Sequence, residues 1–252
     1  MRYLFALDPN NNVFGLLSKL AFNNQDNAML INIIGWALVG VIAYLLGSLN
    51  SAIIISKSKY KQDIRSFGSG NAGLTNMLRV YGKDGALLTL AGDIAKQLLS
   101  VLVGAFLLGR YGAYLAGLFC MIGHIFPIYY RFKGGKGVLT AATMILLIDP
   151  LVFIVLFIIF ALTLAITRYV SLSSIIAAIS YPATLSIANG NHPHIFELGF
   201  ALFVAAVVII MHRSNLRRLF RNEENKFSFK KKEKAEPKEE QKQEQEQEQE
   251  QK

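Results

Sequence analysis

Apolar residues fall in long runs separated by short polar segments, and LVFIVLFIIFALTLAI at 151–166 is a typical run. Several runs approach or exceed the roughly 18 to 20 residues that a helix needs to cross a bilayer. None alternates between apolar and polar positions as a membrane-spanning strand does. Because lipid leaves open backbone groups unsatisfied, the pattern predicts an all-α polytopic integral membrane protein.

Seven apolar segments are predicted as transmembrane helices. The fourth has about two-thirds of the length of a full crossing, so it can tilt, sink or merge with its neighbours. We therefore expect about seven spans, at Leu30–Ser56, Gly85–Leu108, Gly112–Tyr129, Val138–Ile148, Leu151–Thr167, Val170–Ala188 and Ile195–His212.

The two ends of the chain lie outside this block. Residues 1–29 form an N-terminal extension without the features of a cleaved secretory signal, and its residues 13–22 form either an interfacial helix or a packed cap. Residues 227–252 are a low-complexity tail of Glu, Gln and Lys that we expect to be disordered. The domain that carries function is predicted at 30–226.

The net charge of +9 is distributed unevenly along the chain. With the N-terminus outside, the short inner loops hold ten Lys and Arg residues and the outer segments hold three. The positive-inside rule therefore predicts an outer N-terminus and a cytoplasmic C-terminus in a multi-pass protein of the cell membrane. Since the basic residues are explained by the bilayer, no nucleic acid partner is expected.

The single cysteine, Cys120, lies inside an apolar run, so no disulfide framework is possible. No spacing typical of metal ligands is visible either. We expect neither a metal nor a cofactor.

Small and polar residues interrupt the first span at Gly47, Ser48, Asn50 and Ser51. Residues of this size commonly allow helices to pack closely. Ser48 can alternatively form a hydrogen bond with a ligand, and the sequence leaves both possibilities open.

The loop DIRSFGSGNAGLTNMLR at 63–79 has the composition of an anion-binding site. Glycines permit close backbone approach, neutral side chains offer donors, and guanidinium groups suit phosphate oxygens. The loop lacks the Walker pattern GxxxxGK[ST], so nucleotide hydrolysis is not indicated. The alternative is a plain flexible turn. The candidate residues are Arg65, Gly70, Asn71, Gly73, Thr75, Asn76 and Arg79.

The second span carries Asp93 and Lys96, each of which is costly inside a bilayer unless it is paired or serves a site. At i and i+3 they can neutralise each other. Side chains of this helix also lean toward its N-terminus, which brings Lys96 toward the inner loops. We favour a functional Lys96.

The segment GHIFPIYYRFKGGKGVLT at 123–140 supplies a second anion site. Backbone amides of a glycine loop and the N-terminus of the next helix can hold a phosphate, with lysines adding charge. A lysine-rich turn resting on lipid headgroups is the alternative. His124 is either a buried donor between helices or a general base. The loop candidates are Lys133, Gly134, Gly135, Lys136 and Gly137.

Taken in order, these groupings resemble the acyl-phosphate-dependent glycerol-3-phosphate acyltransferases of bacteria, the PlsY family. The resemblance covers about residues 40–226 and rests on GSLNSAIIISK (47–57), the 63–79 loop, DIAK (93–96), GHIFPIYYRFKGGKGV (123–138), TRYVSL (167–172) and HRSNLRRLF with the following ENK (212–226). The chain departs from the family pattern at Asn50, Leu74, Gln97 and near Asn222, and none of these departures removes a charged group.

The resemblance implies transfer of a fatty acyl group from acyl phosphate to the 1-hydroxyl of glycerol 3-phosphate, as the first acylation of phospholipid biosynthesis. It implies catalytic roles for Lys96, His124, Ser48 and Asn76, and it adds Ser171, His212, Asn215 and Glu224 to the substrate-binding residues. The proton acceptor is left open between His124 and a substrate phosphate. Glu224 binds the glycerol hydroxyls or pairs with a loop arginine. The sequence predicts no oligomeric state.

A transporter of organic phosphates would also place basic residues in helices. Such transporters usually show paired halves, and no internal repeat is found here. A structural protein that binds anionic lipid would not need both glycine loops.

Overall fold

The computed structural model describes residues 15–23, 25–190 and 195–227, and the predicted disordered tail lies almost entirely outside these ranges. The described part is helical, without β-strands. Its helices are α1 Leu16–Asn23, α2 Ala28–Ser48, α3 Ser51–Lys59, α4 Leu74–Ile125, α5 Val138–Ile148, α6 Pro150–Thr167, α7 Val170–Ala188, α8 Ile195–Met211 and α9 Arg213–Phe220.

The long helix α4 is broken at two glycines with positive φ, Gly82 at 75° and Gly109 at 69°. We call its parts α4a (74–81), α4b (83–108) and α4c (110–125). The chain reverses at Gly109. As a result Gly104 lies so close to Gly112 that a Cβ added to Gly104 would collide with the Gly112 carbonyl oxygen. The parts α4b and α4c therefore form a tightly packed antiparallel hairpin, in which small residues allow the backbones to touch.

Four described helical stretches are long and apolar enough to cross a membrane, and a fifth is added if the bent pair α8 and α9 counts as one span. The expected number was seven. The difference has a simple origin, because the α4b–α4c hairpin counts once and α5 has only 11 residues. The all-α membrane architecture is confirmed. The number of crossings and the side of each terminus stay predictions.

The first predicted span is also divided, because α2 ends at Ser48 and α3 begins at Ser51. Asn50 causes the break. Its side-chain oxygen accepts from the Ile53 amide at 3.1 Å, which caps α3, and its amide group donates to the Ala72 carbonyl at 3.2 Å. The break therefore connects α2 to the glycine-rich loop.

Helices α5 and α6 join almost without a loop. Asp149 ends α5 and accepts from the Val152 amide at 3.3 Å, and Pro150 occupies the first position of α6. Together with α4c, α7 and α8, these two helices surround the largest cluster of buried apolar side chains.

Helix α1 contacts the tip of the hairpin. Gly15 lies against the backbone of Leu107 and Leu108, and Leu17 packs beside Gly35. Of the two alternatives, these contacts favour a packed cap and not an interfacial helix. Leu16 and Leu20 nevertheless stay about half exposed.

We predict that Gly104→Ala lowers the melting temperature of the purified protein, since its methyl group would meet the Gly112 carbonyl and the Ala116 side chain. Overpacking of this kind costs about 1–3 kcal/mol. The matched control is Gly199→Ala, also in a helix, where an added Cβ meets no atom within 4 Å. Thermal unfolding in detergent checks both variants, and equal melting temperatures would contradict the close hairpin.

Candidate active site

A cavity of about 490 Å³ lies between α4, α5, α6, α7, α8 and α9. One end is polar, with contributions from the glycine-rich loop, the start of α5 and the segment after α9. The other end is an arm lined by Leu, Ile, Val, Phe and Ala side chains from α5, α6, α7 and α8. A site of this form suits a molecule with a charged head and an apolar chain.

The glycine-rich loop takes its shape from Asn76. Its side-chain oxygen accepts from the Ser69 amide at 3.0 Å, and its amide group donates to the Phe67 carbonyl at 3.0 Å. Gly68 and Gly70 have positive φ values of 54° and 73°, which L side chains rarely adopt. Asn76 lies in the cavity wall, and these contacts give it a positioning role.

A hydrogen-bonded cluster around Glu224 forms the opposite side of the polar end. Its carboxylate accepts from Asn215 Nδ2 at 2.7 Å, Ser171 Oγ at 2.9 Å and Arg218 Nε at 2.6 Å. The side-chain oxygen of Asn215 accepts in turn from Lys136 Nζ. The cluster joins α7, α9 and the loop before α5. Of the two alternatives for Glu224, pairing with an arginine is observed, and the arginine lies in α9.

The environment shifts the ionisation of this cluster. Burial lowers the pKa of Lys136 to about 8, since desolvation disfavours the ammonium. Burial alone would raise the pKa of Glu224, but the hydrogen bonds from Asn215, Arg218 and Ser171 outweigh it and leave the pKa below its ordinary value. The carboxylate is therefore ionised, and Lys136 titrates in an accessible pH range.

Positive charge exceeds negative charge at this end. Four cationic side chains line the cavity, against the two carboxylates Glu224 and Asp93, and they are Arg79, Lys136, Arg218 and Lys226. Guanidinium groups bind phosphate oxygens in pairs. Arg218 is not among the residues predicted from the sequence, although HRSNLRRLF places it about one helical turn after Asn215, on the same face.

The loop before α5 is only partly open to the cavity. The amides of Gly134 and Gly135 donate to the carbonyls of Ile125 and His124, both at 3.1 Å, so they satisfy the end of α4c. A Cβ on Gly135 would collide with His124 Nε2. These two glycines serve close packing instead of an amide cradle.

The next two residues do face the cavity. Lys136 and Gly137 line its wall, and Gly137 is the N-cap of α5, with φ 79°. The N-terminus of α5, which carries a partial positive charge, therefore points to the same place as the Lys136 ammonium.

Three ionisable side chains meet inside the hairpin. Lys96 Nζ lies 2.9 Å from Asp93 Oδ1 and 3.0 Å from His124 Nδ1, and it donates to the carbonyls of Gly47 at 3.1 Å and Leu49 at 3.0 Å. The donors of Lys96 are thus engaged by protein groups. This arrangement fits neutralisation by Asp93 better than an anion-facing Lys96.

Two further candidates make structural contacts away from the cavity wall. Ser48 Oγ donates to the Tyr44 carbonyl at 2.8 Å and accepts from the Ile128 amide at 3.4 Å. Arg65 forms a two-point ion pair with Asp63, with distances of 2.9 and 2.7 Å.

Arg65 also joins the two glycine loops, since it donates to the Tyr130 carbonyl at 2.9 Å and the Lys133 carbonyl at 3.3 Å. Its hydrogen bond holds the pKa of Asp63 at about 2, and the same contact raises the pKa of Arg65. The pair fixes the distance between the loops.

The predicted residues thus separate into two groups. Those in the cavity wall are Asn71, Gly73, Thr75, Asn76, Arg79, His124, Lys136, Gly137, Ser171, His212, Asn215 and Glu224. Those outside it are Ser48, Arg65, Gly70, Lys96, Lys133, Gly134 and Gly135. Among the described residues no cluster of His, Cys, Asp and Glu could hold a metal ion.

Comparison with known proteins gives a consistent family. The model of the family described as glycerol-3-phosphate acyltransferase matches residues 37–222. The glycerol-3-phosphate acyltransferase of Thermoanaerobacter pseudethanolicus is 39% identical over 193 residues, which are 77% of this chain and 96% of that protein.

Two solved structures are also similar. Both are crystal structures of PlsY (YgiH), an integral membrane glycerol 3-phosphate acyltransferase. The glycerol 3-phosphate form has a TM-score of 0.71 at 34% identity, and the lysophosphatidic acid form has 0.68 at 33%. Each match covers 77% of this chain and 96% of the other.

We predict that Lys96→Met destabilises the protein, because it leaves the Asp93 carboxylate buried without its cation. Loss of one partner of a buried pair costs about 3–5 kcal/mol. The double variant Asp93→Asn/Lys96→Met should recover part of the lost melting temperature. If Lys96→Met lost activity at an unchanged melting temperature, the structural role would be wrong.

Proposed function

Since the chain belongs to the glycerol-3-phosphate acyltransferase family, we propose that it transfers a fatty acyl group from acyl phosphate to the 1-hydroxyl of glycerol 3-phosphate. The products are 1-acylglycerol 3-phosphate, a lysophosphatidic acid, and inorganic phosphate. The activity belongs to residues 30–226 of a multi-pass protein of the cell membrane, and it is the first acylation step of phospholipid biosynthesis.

The amphipathic cavity carries this proposal. Its polar end gathers cations around Lys136 and Arg218, and its arm continues into apolar side chains of the membrane-embedded helices. The donor has a phosphate on an acyl chain, so it matches both parts. The acceptor is a small soluble phosphate, which needs only the polar end.

Acyl phosphate is a mixed anhydride, so transfer needs no nucleophile from the protein. The hydroxyl oxygen of glycerol 3-phosphate attacks the acyl carbon, the bond between that carbon and the phosphate oxygen breaks, and phosphate leaves. The protein contributes by holding the two substrates together and by stabilising negative charge with Arg79, Lys136 and Arg218. Ser171, Asn71, Thr75 and Asn215 lie where they would orient the substrates.

The hydroxyl proton goes to a substrate phosphate, whose second pKa near 6 allows it to accept near neutral pH. The surroundings of His124 support this route. Its Nδ1 faces Lys96 at 3.0 Å, and its Nε2 lies against the backbone of Gly135. Neither nitrogen is well placed to reach a hydroxyl, so His124 acts mainly as a packing and hydrogen-bonding residue.

Purified protein with labelled glycerol 3-phosphate should form lysophosphatidic acid when palmitoyl phosphate is supplied and should form none with palmitoyl-CoA. In palmitoyl phosphate the phosphate is bonded to the acyl carbon, so the cationic end can bind the leaving group. In palmitoyl-CoA a thioester sulfur is bonded to that carbon and the phosphates lie far from it. Thin-layer separation of the lipid product is the measurement. Uptake of label by vesicles without acyl product would instead favour the organic phosphate transporter.

We predict that kcat/KM for glycerol 3-phosphate falls as pH rises through about 8, the pKa of Lys136. Below this pH the ammonium is protonated and attracts phosphate. Above it the charge is lost, together with a charge-assisted hydrogen bond, so we expect a decrease of about tenfold. Initial rates between pH 6.5 and 9.5, a range of about one and a half units on either side of this pKa, measure the profile.

Lys136→Arg provides the control, because a guanidinium stays charged over this range. Its kcat/KM should show little loss above pH 8. An identical alkaline decrease in both enzymes would assign the titration to another group.

A further inference from the structure

The apolar arm of the cavity has a defined deep end. Counting from the polar end along each helix, the last residues that line it are Leu146 in α5, Phe153 in α6, Tyr181 in α7 and Val204 in α8. Four helices therefore contribute to one floor, with two aromatic rings in it.

The depth of the arm follows from α7. Ser171 lines the polar end and Tyr181 lines the deep end, and these residues are ten positions apart on one helix. At a rise of 1.5 Å per residue the separation is about 15 Å. A bilayer has a hydrocarbon core of about 30 Å, so the arm is as deep as one leaflet. Its length is that of an acyl chain of a membrane lipid.

The floor is backed by densely packed core behind Tyr181, whereas Leu146 on the α5 side is 41% exposed. Tyr181 is 4% exposed, and the neighbouring cluster includes the fully or almost fully buried Val152, Leu185 and Ala201. A core of this packing density cannot accommodate an additional methylene group without strain. A chain that extends past Tyr181 would therefore have to displace core side chains.

We propose that Tyr181, together with Phe153, limits the length of the acyl chain that the enzyme transfers, by contacting the methyl end of the donor. The proposal rests on the function proposed above and adds a specificity-determining residue to it. The polar end binds the phosphate, and the floor limits the length of the acyl chain attached to it.

Two substitutions test the floor in opposite directions. Tyr181→Ala removes the aromatic ring and deepens the arm, so the donor with the highest kcat/KM should become longer. Ala178→Leu adds bulk to a lining position about one turn nearer the polar end, so the preferred donor should become shorter. Tyr181→Phe keeps the ring and should keep the wild-type preference.

The assay compares lauroyl, myristoyl, palmitoyl, stearoyl and arachidoyl phosphates with saturating glycerol 3-phosphate. Each further methylene that Tyr181→Ala accommodates should raise relative kcat/KM about fourfold, from the transfer free energy of one buried methylene. If Tyr181→Ala fails to fold, Ala178→Leu carries the test alone.

An unchanged ranking of donors in the folded variants would overturn the proposal. Wild-type protein that transferred no acyl group from any of the five donors would instead overturn the proposed function. The two failures are therefore distinguishable in one experiment.

Discussion

A charge buried among membrane helices has to be neutralised where it lies, and the pairing of Asp93 with Lys96 inside the α4b–α4c hairpin meets this requirement. The same ammonium satisfies two carbonyls at the end of α2 and contacts His124. His124 in turn lies against Gly135, at the position where the chain turns toward Lys136 and α5. The Asp93–Lys96 ion pair thus supports the cationic end of the cavity, and Asp93 lines the cavity wall while Lys96 does not.

The cavity combines a cationic end with an apolar arm. Its Lys136 ammonium donates to the Asn215 side-chain oxygen and its Arg218 guanidinium pairs with the Glu224 carboxylate, while its arm consists of apolar side chains from α5 to α8. Anion binding and acyl-chain binding therefore depend on different residues. Substitutions at the polar end should alter the affinity for phosphate, and substitutions in the arm should alter the choice of acyl chain.

Much of the fold could be predicted from the sequence, because the apolar runs and the short polar loops are unambiguous. The exact form of the spans could not. Asn50 divides the first span because its side chain caps α3. The reversal at Gly109, in contrast, falls between the second and third predicted spans. The break at Asn50 depends on the contacts of one side chain, which hydropathy does not register.

For the site, composition located the two loops but did not separate residues that contact substrate from residues that hold the loops. Arg65 and Lys96 carry the charge expected of anion ligands, yet both engage protein partners that are distant in sequence. Arg218 was not predicted because its partner, Glu224, approaches it only when the chain folds back after α9.

The proposed placement of the substrates is tested most directly by a structure with glycerol 3-phosphate and a non-hydrolysable acyl phosphonate bound. We expect the phosphonate within hydrogen-bond distance of Lys136 and the acyl chain in the arm. An acyl chain on the lipid-facing surface, with the phosphonate at Arg65 and Lys133, would contradict it.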